Sequence, residues 1–179
     1  MNNTETTPTA TELYREIISK ATPKDIEQAS LWYEQAQEIA HDVANNLDTT
    51  LEVGASVVSA FSPREPWATN ITKAIAFSLG HTPKGLSNNL KMAQASLVSG
   101  FNALNGAKTN AFARAIAGDT DAVVIDTWMM KAAKMPTLAP TKKQYLELSE
   151  AVTVVAQEQK ITPRTAQALI WILVRGSAV

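Results

Sequence analysis

The chain has 179 residues, 45% of them hydrophobic and 18% charged, with a formal net charge of −1 and a sequence pI near 6.1. That balance suits one globular domain, or two lobes sharing a cleft, and lacks the overall basic excess of an obvious nucleic-acid binder. The absence of cysteine excludes disulfides, thiolate metal sites and iron–sulphur clusters. No apolar run approaches the ~20 residues of a membrane span, and the polar start MNNTETTPTATE is unlike a signal sequence, so a cytoplasmic monomer without membrane contact is expected.

Residues 1 to about 10 are rich in Thr, Asn and Glu with nothing to bury and are expected to be disordered, leaving 11–179 as a single helical domain. Thr22-Pro23 reads as N-cap and first turn of a long helix, with Asp25 at its positive end. Ala29, Tyr33, Ala36, Ala40, Val43 and Leu47 then recur at alternating steps of four and three, a core-facing stripe. Val53 to Phe61 is continuously apolar and reads as a buried helix, because no neighbouring run alternates with period two. Pro63 and Pro66 enforce an extended segment before helix resumes at Trp67 and runs to Leu79. Thr82 to Gly85 is a loop, Ser87 is placed to cap a helix through Leu97, and Gly100 precedes a turn. His41 and His81 lie too far apart in the chain to suggest a metal site, and neither a metal nor a cofactor is expected.

The stretch 104–134 is the most informative. Asn105-Gly106 offers turn chemistry, with Gly106 free to take a positive φ. A helix from Lys108 carries Ala111, Phe112, Ala115 and Ile116 to a stop at Gly118, followed by a polar turn at 119–121 and the apolar run Ala122 to Ile125. Asp126 stands where a side chain caps the next helix. Beyond Pro136 and Pro140, Thr141 caps a helix with Tyr145, Leu148, Val152 and Val155 on one face. Thr162-Pro163 opens the last helix, with Arg175 near its negative end and Trp171 read as packing in the core or between lobes. Every segment reads as helix, so the fold is expected to be all-α.

A Gly-containing turn, a Lys opening the next helix, a Gly ending it, and an apolar run closing on Asp126-Thr127 resemble the helix-hairpin-helix DNA glycosylases, the endonuclease III-like superfamily. Lys108 and Asp126 are eighteen positions apart, similar to the separation of the Schiff-base lysine and the aspartate in lyase-competent members. The block from Val57 to Ala74, with its Trp67-x-x-Asn70 step, resembles the family's early helix and following loop. The chain departs from the family where the usual Leu-Pro-Gly-Val-Gly-x-Lys turn is two residues shorter, and where Trp128 replaces the usual His.

The resemblance implies two helical lobes around a cleft, and DNA base excision by an N-glycosylase, with or without abasic-site lyase activity, on a damaged or modified base. Lys108 and Asp126 would be catalytic, Trp67, Phe112 and Trp128 would wall a base pocket, and Arg64, Asn105, Gly106, Ala107, Lys131 and Lys134 would meet DNA. The chemistry stands without the family. Breaking an N-glycosidic bond builds positive charge on the sugar, which a fixed carboxylate stabilises, and an attacking lysine must be neutral. Glu65, between two prolines, is an alternative acid, while Asp126 also reads as a plain helix cap and Lys108 as an exposed lysine at a helix start. Residues 66–146 hold nine Lys/Arg against three acids, a local net of +6, while the remainder carries −7. A base-modifying transferase on the same fold and a non-catalytic DNA- or protein-binding module are the alternatives.

Overall fold

A computed structural model describes residues 8–176, and all regular structure among them is helical. The helices are α1 (Ala10–Ile18), α2 (Pro23–Asn46), α3 (Leu51–Ala60), α4 (Trp67–Ser78), α5 (Ser87–Ser99), α6 (Ala107–Ile116), α7 (Thr127–Ala132), α8 (Lys142–Gln159) and α9 (Pro163–Arg175), with a 3-10 turn at Gly100–Ala103. None among the described residues is long and apolar enough to cross a membrane.

Threonine starts five of these helices. The hydroxyls of Thr9, Thr22, Thr50, Thr141 and Thr162 each accept the N–H three residues on, satisfying a donor that the helix itself leaves unpaired. In α1, α2 and α8 the third residue returns the bond, as when Asp25 accepts the Thr22 N–H at 2.8 Å. Of the segment expected to be disordered, residues 1–7 lie outside the described residues. Thr9 caps α1, which begins at Ala10.

Two other expectations are corrected. Ser87 is the first residue of α5 rather than its cap: Leu86 holds the cap position, with no side-chain bond, and its carbonyl accepts the N–H of Asn89 at 3.0 Å. Gly106 has φ −88 and ψ 133, an extended cap for α6 that any residue can adopt. The turn's left-handed residue is Gly100, φ 51, where a Cβ would meet the Glu52 carboxylate.

The α2 stripe points inward as expected, with Ala29, Tyr33, Ala36, Ala40 and Val43 buried and Leu47 half-buried. Its small side chains let α3 approach closely; a Cβ at Gly54 would run into the Ala40 carbonyl oxygen. Helix α3 is buried from Gly54 to Ala60, and Val57 and Val58 each contribute roughly 1.5–3 kcal/mol by leaving water. Its buried hydroxyls are satisfied, Ser59 donating to the Thr109 carbonyl at 2.7 Å. Helix α3 packs on α2, α4, α5 and α6, and α9 packs on α2, α1, α7 and α8. Helix α2 thus touches both groups, and the cavity described next draws residues from each.

Candidate functional site

The approach to Asp126 is fixed by a tyrosine. The buried run Ala122 to Ile125 makes no helix, and its backbone groups find partners in the Tyr145 hydroxyl, which donates to the Val123 carbonyl at 2.9 Å and accepts from the Ile125 N–H at 3.2 Å. Asp126 follows in extended conformation as the cap of α7, its Oδ1 accepting the N–H groups of Trp128 at 2.9 Å and Met129 at 3.0 Å. Its Oδ2 accepts the indole N–H of Trp171 at 3.0 Å. The carboxylate is therefore a helix cap and, by the same geometry, part of a cavity wall.

That cavity has a volume of about 310 Å³, within the range of small-molecule pockets, roughly 300–1,000 Å³. Lys108, the second residue of α6, also borders it, with Phe112 one turn further along. The Lys108 side chain is in no ion pair among the described residues. Trp32 of α2 is the hub of the aromatic wall, its ring centroid 5.3 Å from Trp67, 6.0 Å from Phe112 and 6.1 Å from Trp171. Such a wall offers flat faces to a planar ligand.

Polar groups converge on the same space. Glu65 borders the cavity but is paired with Lys73, both largely buried, so it is a neutralised carboxylate. The Tyr33 hydroxyl donates to Gln167 Oε1 at 2.7 Å, and Arg175 lies over the Trp171 ring at 4.6 Å. Ser62 Oγ and both side-chain atoms of Asn70 are buried and have no protein partner. Burial raises the phenols of Tyr14, Tyr33 and Tyr145 above the ordinary range, and the charge of Asp126 pushes all three further the same way.

Lys108, Asp126, Trp67, Phe112 and Trp128, all singled out from sequence, line this one cavity. Asn105, Gly106 and Ala107 instead border a second, more open hollow of about 810 Å³ with Arg114, Asp119 and Lys142. Lys131 sits at neither, but its ammonium lies 4.3 Å from the Trp128 ring centroid. Arg64 and Lys134 are exposed loop residues at φ 63 and 51, outside both cavities. Among the described residues no cluster of three or more His, Asp or Glu is arranged to hold a metal.

Sequence reasoning did not single out Trp32, Ser62 or Gln167, gave Asn70 only as part of the Trp67-x-x-Asn70 step, and read Trp171 as packing in the core or between lobes. One signal was available. Gln167, Trp171 and Arg175 recur every four residues on α9, a polar and aromatic stripe interrupting an apolar helix.

No curated protein and no solved structure matches the chain. A family model does match it, over residues 1–178, and the chain belongs to that family of unknown function (DUF7178).

Proposed function

We propose that the protein is a compact DNA glycosylase of the helix-hairpin-helix type, acting on a damaged or modified base turned out of the duplex. The observation that carries this reading is that Lys108 and Asp126, held by separate elements, border one aromatic-walled cavity. A flipped base stacks on flat aromatic side chains, and the sugar behind it then faces the carboxylate. Asp126 stabilises the developing sugar cation, while Lys108 either attacks C1′ as the neutral amine or binds the adjoining phosphate. The packing of α3 with α4, α5 and α6, and of α9 with α1, α7 and α8, fits two lobes that meet at this cavity, with α2 spanning them.

The test is incubation with oligonucleotides bearing abasic sites, uracil, oxidised purines and modified pyrimidines. Asp126→Asn is expected to lower base excision by about 10²–10³, the usual cost of losing one preorganised electrostatic partner. Borohydride trapping of a protein–DNA adduct, abolished by Lys108→Gln, would identify lyase chemistry. An adduct that persists in Lys108→Gln moves the nucleophile elsewhere, and full activity in Asp126→Asn reduces the carboxylate to a helix cap. A non-catalytic base-binding module is the second reading, favoured by the engagement of both Asp126 oxygens by donors. It predicts selective DNA binding with no excision of any base.

A further inference from the structure

Asn70 is 1% exposed, and neither its amide oxygen nor its amide nitrogen has a hydrogen-bond partner in the protein. Buried carboxamides are normally satisfied, because an unmade hydrogen bond is costly away from water. Ser62 Oγ is in the same condition, and both residues border the aromatic cavity. By contrast, the buried Asn89 amide donates to the Pro63 carbonyl and the buried Gln167 amide accepts from Tyr33. The unpartnered groups named above thus belong to two residues of one cavity.

Their position on the chain gives them a common task. Asn70 lies three residues after Trp67 on α4, so ring and amide share one helix face. Ser62 follows directly on the C-cap of α3. A carboxamide presents one acceptor and one donor side by side, the complement of a heterocycle edge that carries a donor next to an acceptor. Adenine (N6–H beside N1 or N7) and uracil (N3–H beside O4) have such edges. With the glycosidic nitrogen methylated, as the sugar blocks it in DNA, 9-methylpurine lacks the donor, and in 1,3-dimethyluracil it is blocked.

We propose that Asn70, assisted by Ser62, is the specificity-determining reader of this cavity, hydrogen-bonding the donor–acceptor edge of a neutral heterocyclic base stacked on the ring wall. The assignment rests on the base-excision reading for its DNA context, but the recognition itself needs only the base, with a methyl group in place of the sugar. A site built to hydrogen-bond its ligand rejects analogues lacking the matching group, because its own buried polar atoms then stay unpaired. The same logic makes Asn70 dispensable for folding, since an amide without protein partners holds nothing together.

The experiment is calorimetric titration of the full chain with 9-methyladenine, 9-methylpurine, 1-methyluracil and 1,3-dimethyluracil, without DNA. The wild type is expected to bind at least one parent base about tenfold or more tighter than its analogue, on the order of one hydrogen bond's worth of selectivity. Asn70→Leu, which keeps the branched outline of the side chain without its polar atoms, is expected to lose that preference with Tm unchanged or raised. Ser62→Ala should reduce the preference, also without lowering Tm. Equal binding of parent and analogue by the wild type overturns the proposal, as does a preference that survives in Asn70→Leu. A clear fall in Tm for Asn70→Leu also overturns it, by showing the amide to be a structural strut. Excision assays separate this from the wider reading. Excision without edge preference removes only the role of Asn70, whereas edge preference without excision or DNA affinity removes the glycosylase and leaves the reader standing.

Discussion

The two oxygens of Asp126 face different donors, which gives its substitution a thermodynamic signature separate from any catalytic one. In Asp126→Asn the remaining oxygen can keep the backbone cap, but the amide N–H₂ then points at the Trp171 indole N–H, donor against donor. The expected cost is about 1–3 kcal/mol in urea unfolding. Trp171→Phe removes the opposing donor, so the cost of Asp126→Asn should fall in that background, a coupling readable by a double-mutant cycle. Asp126 and Lys108 were legible from sequence because their signals are local: a polar residue before a short helix and a lysine after a turn. Trp32 and Gln167 were not, because their role depends on helices packing across a long separation, from residue 32 to residue 175.

At the scale of elements, the segment before α7 depends on one phenol. Tyr145→Phe leaves the Val123 carbonyl and the Ile125 N–H without their partner, which should cost about 1–3 kcal/mol and loosen the approach to Asp126. The measurement is excision rate alongside Tm; activity lost out of proportion to stability would mark Tyr145 as a positioning residue. Gly54→Ala acts on a different joint, forcing α2 and α3 apart, and should destabilise by about 1–3 kcal/mol, the usual cost of overpacking. The helix starts at Thr22, Thr141 and Thr162 were readable because cap and follower sit together in the chain. Helix α1 was missed although Thr9 and Glu12 carry the same capping-box signature, hidden by the polar composition around them. The turn glycine was assigned to Gly106 rather than Gly100 because sequence alone does not say which glycine the chain bends at.

For the whole molecule, charge and tyrosine burial make the predictions. Under the proposed function, Lys131→Glu with Lys134→Glu should weaken DNA binding across all sequences, with the salt dependence falling by about 1 in slope for each phosphate no longer neutralised. Affinity unchanged between low and physiological salt would count against a phosphate footprint. All three tyrosines, Tyr14, Tyr33 and Tyr145, are held above their ordinary value near 10, chiefly by burial. Above about pH 10 the unfolded chain releases phenolic protons that the native state still holds. Their stabilisation is thus complete below that pH and lost as pH rises, by up to about 1.4 kcal/mol per unit for each phenol. Urea midpoints should fall steeply there, with tyrosinate absorbance appearing only on unfolding. The acid side is shallower. Glu12, lowered first by the Thr9 N–H, and Asp25, lowered first by the Thr22 hydroxyl, contribute above the ordinary carboxylate range and lose this as pH falls, but both are screened by solvent. The cavity wall has an optical consequence as well. The four tryptophans of the chain, Trp32, Trp67, Trp128 and Trp171, all border that single space. The protein's entire indole emission therefore originates there, and Trp32 lies close enough to Trp67 and Trp171 for excitation to pass among the three. One bound quencher should darken more than the ring it touches, so the unlabelled chain is its own occupancy sensor.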